Sequence, residues 1–184
     1  MGKLRIATHG RLQDWIAVER GYFEDEGLEY ELDVRAQENS QQDVPVERPG
    51  DIRTGAYELY RSSSGGKQGM SCACHWAVNQ AASDAAGRMW GGAYAVLPSG
   101  IYVAGDSELR DAADLAGVPV AVGYHSGSHF STVQALEAVT DPDRIELRFG
   151  GMPYDRVDAL LGGEVPAAAV WGAAPYLVEQ QGFA

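Results

Sequence analysis

Residues 118–129 read VPVAVGYHSGSH, and the predicted fold class follows from how the chain continues around this stretch. Its apolar first half, which ends at Val122, is typical of a short buried strand, and Gly123 ends that strand. The serines that follow favour the start of a helix, which we expect over residues 129–139. The alternation continues with a strand over 145–149, a helix over 154–161 and a strand over 167–171. Such alternation predicts a parallel or mixed α/β sheet.

The first part of the chain shows the same alternation more weakly. Its expected elements are a strand over 4–7, a helix over 12–21, a strand over 28–34 and a further strand over 70–74. The first three form a β-α-β unit, whose crossover is right-handed if the strands are parallel. We therefore expect two lobes, residues 1–97 and residues 98–184.

Composition narrows the classes of partner. The chain has 184 residues, and its 14 Lys and Arg against 26 Asp and Glu give a net charge of −12. An acidic chain of this kind is a poor partner for nucleic acid or for an anionic membrane surface. No run approaches the roughly 20 apolar residues of a membrane span, and no secretory leader precedes the first strand. We expect a cytoplasmic protein, or a periplasmic one if a leader was removed.

Three stretches carry a resemblance to a known family. Residues 21–28 read GYFEDEGL, residues 109–117 read LRDAADLAG, and residues 157–168 read VDALLGGEVPAA. Together they resemble the type II periplasmic-binding-protein fold, in the nitrate/sulfonate/taurine and thiamine-pyrimidine-precursor branch of ABC transporter substrate-binding proteins. The resemblance implies a two-lobed α/β protein with mixed sheets flanked by helices.

Two features depart from that family. Residues 36–68 do not match its usual pattern, and the chain stops near the point where the family returns to the first lobe. The C-terminal return segment is therefore expected to be absent. We expect a fragment, a short variant, or one subunit of an assembly whose partner completes the lobe.

Polar and aromatic residues follow the predicted strands. Ligands of open α/β sheets bind outside the carboxyl ends of the strands, and a helix start favours an anion. The expected ligand-binding residues are His9, Arg11, Asn79, His125, Ser126, Ser128, His129 and Trp171. The alternatives are that surface loops hold the histidines, that Ser126 or Ser128 caps the helix, and that the tryptophan packs in the core.

Residues 72–75 read CACH and allow three interpretations. Cys74 is a thiolate nucleophile with His75 as its base in an enzyme. Alternatively, Cys72, Cys74 and His75 bind zinc, copper or iron, although the spacing differs from that of a zinc knuckle. In the third interpretation both cysteines are buried small apolar residues, which we favour for Cys72.

These observations leave several functions open. The first is a binding protein for a small anionic or zwitterionic organic ligand, and the resemblance implies that it delivers this ligand to an ABC transporter permease. The second is an enzyme on the same scaffold, desulfinase-like or pyrimidine-precursor-synthase-like, with a Cys/His site that works with or without a metal. The third is a ligand-sensing or interaction subunit of a larger complex.

Overall fold

A computed structural model describes residues 3–7, 12–32, 47, 69–71, 74–83, 88, 92 and 96–184 of the chain. The described residues divide into two compact units, each built around its own sheet. The first unit holds the elements up to residue 83, and the second holds those from residue 99 onward.

The first unit contains a three-stranded parallel sheet. Its strands are β1 (Leu4–Ala7), β2 (Tyr30–Leu32) and β3 (Gly69–Ser71), arranged in the order β2-β1-β3. Helices α1 (Leu12–Glu19) and α2 (Tyr22–Asp25) connect β1 to β2, and α3 (His75–Ser83) follows β3. Because β1 and β2 run parallel, the predicted β-α-β unit is confirmed. Ile6 of the central strand is fully buried.

The turn expected at residues 22–27 contains the short helix α2. The N–H of Asp25 donates to the carbonyl of Gly21, and the Phe23 ring meets Tyr30 edge-on with 4.8 Å between centroids. This aromatic contact packs the single helical turn of α2 against the strand β2 that follows.

The second unit contains a four-stranded mixed sheet in the order β4-β7-β5-β6. Its strands are β4 (Ser99–Val103), β5 (Val120–Val122), β6 (Leu147–Phe149) and β7 (Ala167–Trp171). The edge strand β4 is antiparallel to β7, whereas β5 is parallel to both of its neighbours. The expected fold class, a mixed α/β sheet, is confirmed.

Helices connect the parallel strands of this unit. They are α4 (Gly127–Glu137) between β5 and β6, α5 (Pro153–Leu161) between β6 and β7, and α6 (Ala174–Glu179) after β7. Short 3-10 turns span Ala112–Leu115 and Pro142–Arg144. α4 begins two residues before the expected start at residue 129. None of the helices in the described part of the chain is long and apolar enough to cross a membrane.

Alternate residues of β5 and β7 face opposite sides of the sheet, so the unit has a core on each side. On one side Ala121, Ala168 and Val170 pack with Val157, Leu160, Val165, Ala174 and Val178. On the other side Val120, Val122, Ala167 and Ala169 pack with Leu115, Tyr124 and Leu136. The helices therefore cover both faces of the sheet, and small side chains on β7 let them approach it closely.

Two neighbouring leucines on α5 test this core. Leu160 is 3% exposed and packs against the sheet, whereas Leu161 is 39% exposed. We expect Leu160→Ala to lower the free energy of unfolding by about 2–5 kcal/mol, because it leaves a cavity. Leu161→Ala, the matched control, removes the same atoms from a partly solvated position and is expected to cost much less. Urea denaturation followed by circular dichroism measures both, and equal losses would contradict this assignment of the core.

Candidate functional site

The carboxyl ends of β5 and β7 lie side by side in the second unit, where the chain leaves them in opposite directions. From β5 it passes through α4 to β6 on one side, and from β7 it enters α6, which contacts β4 and β7 on the other. In open α/β sheets such a switch point forms the crevice in which ligands bind. The loop from Gly123 to Ser126 lies at this point, as the sequence predicts.

A closed ring of hydrogen bonds holds this loop. The N–H of Gly123 donates to Ser128 Oγ at 3.0 Å, and the Ser126 hydroxyl donates to the carbonyl of Gly123. The two serine oxygens lie 2.8 Å apart. Because the single hydroxyl hydrogen of Ser126 is already engaged, Ser128 is the donor between them. Both hydroxyl hydrogens are therefore used inside the loop.

The ring changes the role expected for these serines. Ser126 occupies the N-cap position with an extended backbone, but its side chain does not cap α4. The capping expected of Ser126 or Ser128 is therefore wrong, because each hydroxyl is held by the loop instead. Within residues 96–184, the backbone N–H groups of Gly127, Ser128 and His129 have no acceptor. These three donors at the positive end of an 11-residue helix are the groups available to an anion.

Two histidines stand beside these donors. The N–H of His125 donates to Nδ1 of His129 at 3.1 Å, and the two rings are nearly parallel with centroids 6.2 Å apart. His125 has φ of 55°, in the left-handed region that non-glycine residues adopt rarely. Burial of His129 lowers the pKa of its imidazole, and the charge of His125 lowers that pKa further. The neutral form of His129 is therefore the one that holds the loop.

Arg156, which is not among the predicted site residues, lies beneath the same loop. It is 1% exposed, its Nε donates to the carbonyl of Ala169 at 2.7 Å, and its Nη1 donates to the carbonyl of Gly151 at 2.7 Å. Nη2 is buried and has no hydrogen-bond partner within the described ranges. Burial lowers the pKa of the guanidinium to about 10, so it stays charged at neutral pH. A sequence signal existed, since Arg156 lies four residues before Leu160 on the buried face of α5.

Close packing around Arg156 explains two glycines. A Cβ on Gly123 would lie 3.0 Å from Nη1 of Arg156, and a Cβ on Gly150 would lie 2.7 Å from its Cγ. Both positions therefore favour a residue without a side chain. The glycine that ends β5 both terminates the strand and leaves room for the guanidinium.

The remaining predicted residues fall elsewhere or outside the described chain. Trp171 ends β7, is partly buried and pairs with Ser99 of β4. In the first unit, Cys74 is a partly buried free thiol, and the side chains of His75 and Asn79 are exposed on α3. His9, Arg11 and Cys72 lie outside the described residues. The structure thus brings together His125, Ser126, Ser128 and His129, and all of the proposed ligand contacts stay predictions.

The metal interpretation gains no further ligands. Across the described ranges, no group of three or more His, Cys, Asp or Glu side chains is placed to hold a metal ion. Cys74 and His75 supply two of the three expected ligands, and the third, Cys72, is outside those ranges. A zinc, copper or iron site at residues 72–75 therefore stays a prediction.

The hydrogen-bonded ring gives a first test of this loop. We expect Ser128→Ala to lower the free energy of unfolding by about 1–3 kcal/mol, because the N–H of Gly123 then loses its acceptor. Ser131→Ala on the exposed face of the same helix is the matched control and is expected to change stability by less than about 0.5 kcal/mol. Thermal and urea denaturation measure both variants. Similar losses in the two variants would show that the ring does not stabilise the loop.

The lowered pKa of His129 gives a second test. The folded protein binds a proton at this site less readily than the unfolded chain, whose histidines titrate near about 6.5. The free energy of unfolding therefore decreases as the pH falls below about 6.5 and levels off below the folded pKa. His129→Gln removes this part of the pH dependence. Urea denaturation between pH 5 and pH 8 measures it, and parallel curves for the two proteins would contradict the assignment.

Comparison with known proteins identifies the fold. No family model matches the chain, and no curated protein matches it significantly. The periplasmic aliphatic sulphonate binding protein SsuA from Escherichia coli is similar in structure, with 22% identity and a TM-score of 0.63. The alignment covers 100% of this chain and 60% of SsuA.

Two further structures agree. The alkanesulfonate-binding protein SsuA from Xanthomonas axonopodis pv. citri bound to MOPS has 19% identity and a TM-score of 0.65, over 99% of this chain and 58% of that protein. An ancestral arginine-binding protein bound to glutamine has 15% identity and a TM-score of 0.60, over 100% and 77%. The chain thus spans 58–60% of the length of the two SsuA proteins. It has the type II periplasmic-binding-protein fold.

Proposed function

We propose that this chain binds a small organic ligand through an anionic group, as the ligand-binding part of an ABC import system. The observation that carries the proposal is the set of three unpaired backbone N–H groups at Gly127, Ser128 and His129. They stand at the carboxyl end of β5, where a sheet of this type offers its crevice. Sulfonate and carboxylate groups have the acceptor oxygens that such donors and the helix dipole favour.

The ring of Gly123, Ser126 and Ser128 supports this proposal by fixing the donors in advance. A loop that is already held in place loses little conformational freedom when a ligand binds, so more of the interaction energy appears as affinity. The net charge of −12 also matters, since the chain as a whole repels anions. Attraction of an anion therefore has to come from local donors such as these.

The partners and the compartment belong to the same proposal. Proteins of this fold described above bind sulfonates or amino acids, and one of them is described as periplasmic. We place this chain in the same compartment, with an ABC transporter permease as its partner. Because it spans 58–60% of the SsuA proteins, delivery of a ligand to the permease is proposed for the whole assembly to which it belongs.

A substitution at the first residue of α4 tests the anion site directly. Gly127→Pro removes one of the three N–H donors at a position where helices accept proline, and the extended Ser126 suits a following proline. We expect this variant to bind methanesulfonate or acetate at least about tenfold more weakly, whereas the control Gly127→Ala keeps the donor and the affinity. Isothermal titration calorimetry measures both proteins. Equal affinities would show that the backbone amides of α4 do not bind the anion.

A titration of the wild-type protein completes the test. The candidate ligands are methanesulfonate, MOPS, acetate, arginine and glutamine. Each of them that binds is expected to raise the melting temperature of the protein. Amide resonances of Gly127, Ser128 and His129 should shift in a ¹⁵N spectrum with the same ligands. No binding by any of these anions and zwitterions would refute the proposed function. Cys74→Ala, which is expected to keep the affinity, separates a binder from the Cys/His enzyme.

A further inference from the structure

We infer that Arg156 is a buried fixed charge that makes the start of α4 select ligands with a full negative charge over neutral ligands of the same shape. This inference rests on the proposed function and narrows it to ligands whose sulfonate, carboxylate or phosphate group is ionised. It also assigns a positioning and specificity role to a residue that belongs to neither the loop nor α4.

The position of the guanidinium carries the first step. The point where a side chain on Gly123 would begin lies 3.0 Å from Nη1 of Arg156 and 3.2 Å from Oγ of Ser126. Nη1 of Arg156 and Oγ of Ser126 are therefore at most about 6 Å apart. Ser128 of the same loop is the second residue of α4, so the charge lies close to the start of the helix that carries the free N–H groups.

The lack of a countercharge carries the second step. In the described part of the chain, no carboxylate lies within ion-pair distance of Arg156. Two of its three side-chain nitrogens, Nε and Nη1, donate to the backbone carbonyls of Ala169 and Gly151. Asp155 is the acid whose charge acts on the guanidinium, but its carboxylate is exposed and accepts the N–H of Met152. Nη2 has no hydrogen-bond partner among the residues that the structure describes. A buried cation without an anion is unfavourable, and an anion bound above the loop relieves that cost.

Charge selectivity follows from these two steps. The partial positive charge at the start of α4 already favours an anion, and the full charge of Arg156 near the loop increases the preference for an anion over its neutral analogue. The interaction is screened little by salt, because Arg156 is buried. The two hydrogen bonds to Gly151 and Ala169 hold the guanidinium in place, which keeps the charge under the loop in the absence of ligand.

The experiment compares methanesulfonate with methanesulfonamide, which have similar shape and differ in charge. Affinities for both are measured by isothermal titration calorimetry with wild-type protein, Arg156→Met, Arg156→Lys and Arg148→Met. Arg148 is an exposed arginine of β6, so its substitution makes the same change in net charge at the surface. We expect Arg156→Met to weaken methanesulfonate binding by about tenfold or more and to change sulfonamide binding by less than a few-fold.

The two control variants should preserve the selectivity. Arg148→Met is expected to behave like the wild type, and Arg156→Lys is expected to keep most of the preference because it retains the charge. If Arg156→Met does not fold, the lysine variant carries the test, and loss of the preference in folded Arg156→Lys overturns the inference. An unchanged ratio of the two affinities in folded Arg156→Met overturns it as well, while the proposed function stands. Wild-type protein that binds neither probe refutes the proposed function itself.

Discussion

The hydrogen bond from the N–H of Gly123 to Ser128 Oγ decides how the rest of this site is arranged. It draws the second residue of α4 back over the end of β5 and commits the Ser128 hydroxyl to Ser126, whose own hydrogen returns to the Gly123 carbonyl. Neither serine is left to cap the helix. The unsatisfied groups at the start of α4 are therefore backbone amides, whose direction is set by the helix and not by a rotamer.

The second unit combines two sources of positive potential in an acidic protein. One is the amino end of α4, and the other is the guanidinium of Arg156, which donates to the carbonyls of Ala169 in β7 and of Gly151. Both are held by backbone geometry, because Arg156 donates to main-chain carbonyls and Gly123 has no side chain in its way. Local organisation of this kind outweighs net charge at short range, since the distant acidic groups are screened by solvent.

Much of this arrangement could be predicted from the sequence. The apolar run before Gly123, the glycine itself and the serines after it located β5, the loop and α4, and the rule of strand ends selected His125, Ser126, Ser128 and His129. The closed ring could not be predicted, because it depends on which way each hydroxyl points. Periodicity likewise assigned residues to helix faces without showing which polar atoms meet. The guanidinium of Arg156, which has no ion pair among the described residues, could therefore be recognised only in the structure. The helix α6 was missed although Pro175 near its start is a typical helix signal.

The alanines of β7 constrain how this protein is able to change. Ala167, Ala168 and Ala169 are buried against the helices and have no side-chain rotamers, so the sheet has no adjustable side chain at these three positions. A larger residue at any of the three would push a helix outward and with it either the guanidinium or the loop. A change in ligand preference should therefore arise from substitutions in the loops at the carboxyl ends of the strands, while the three alanines of β7 tolerate almost no variation.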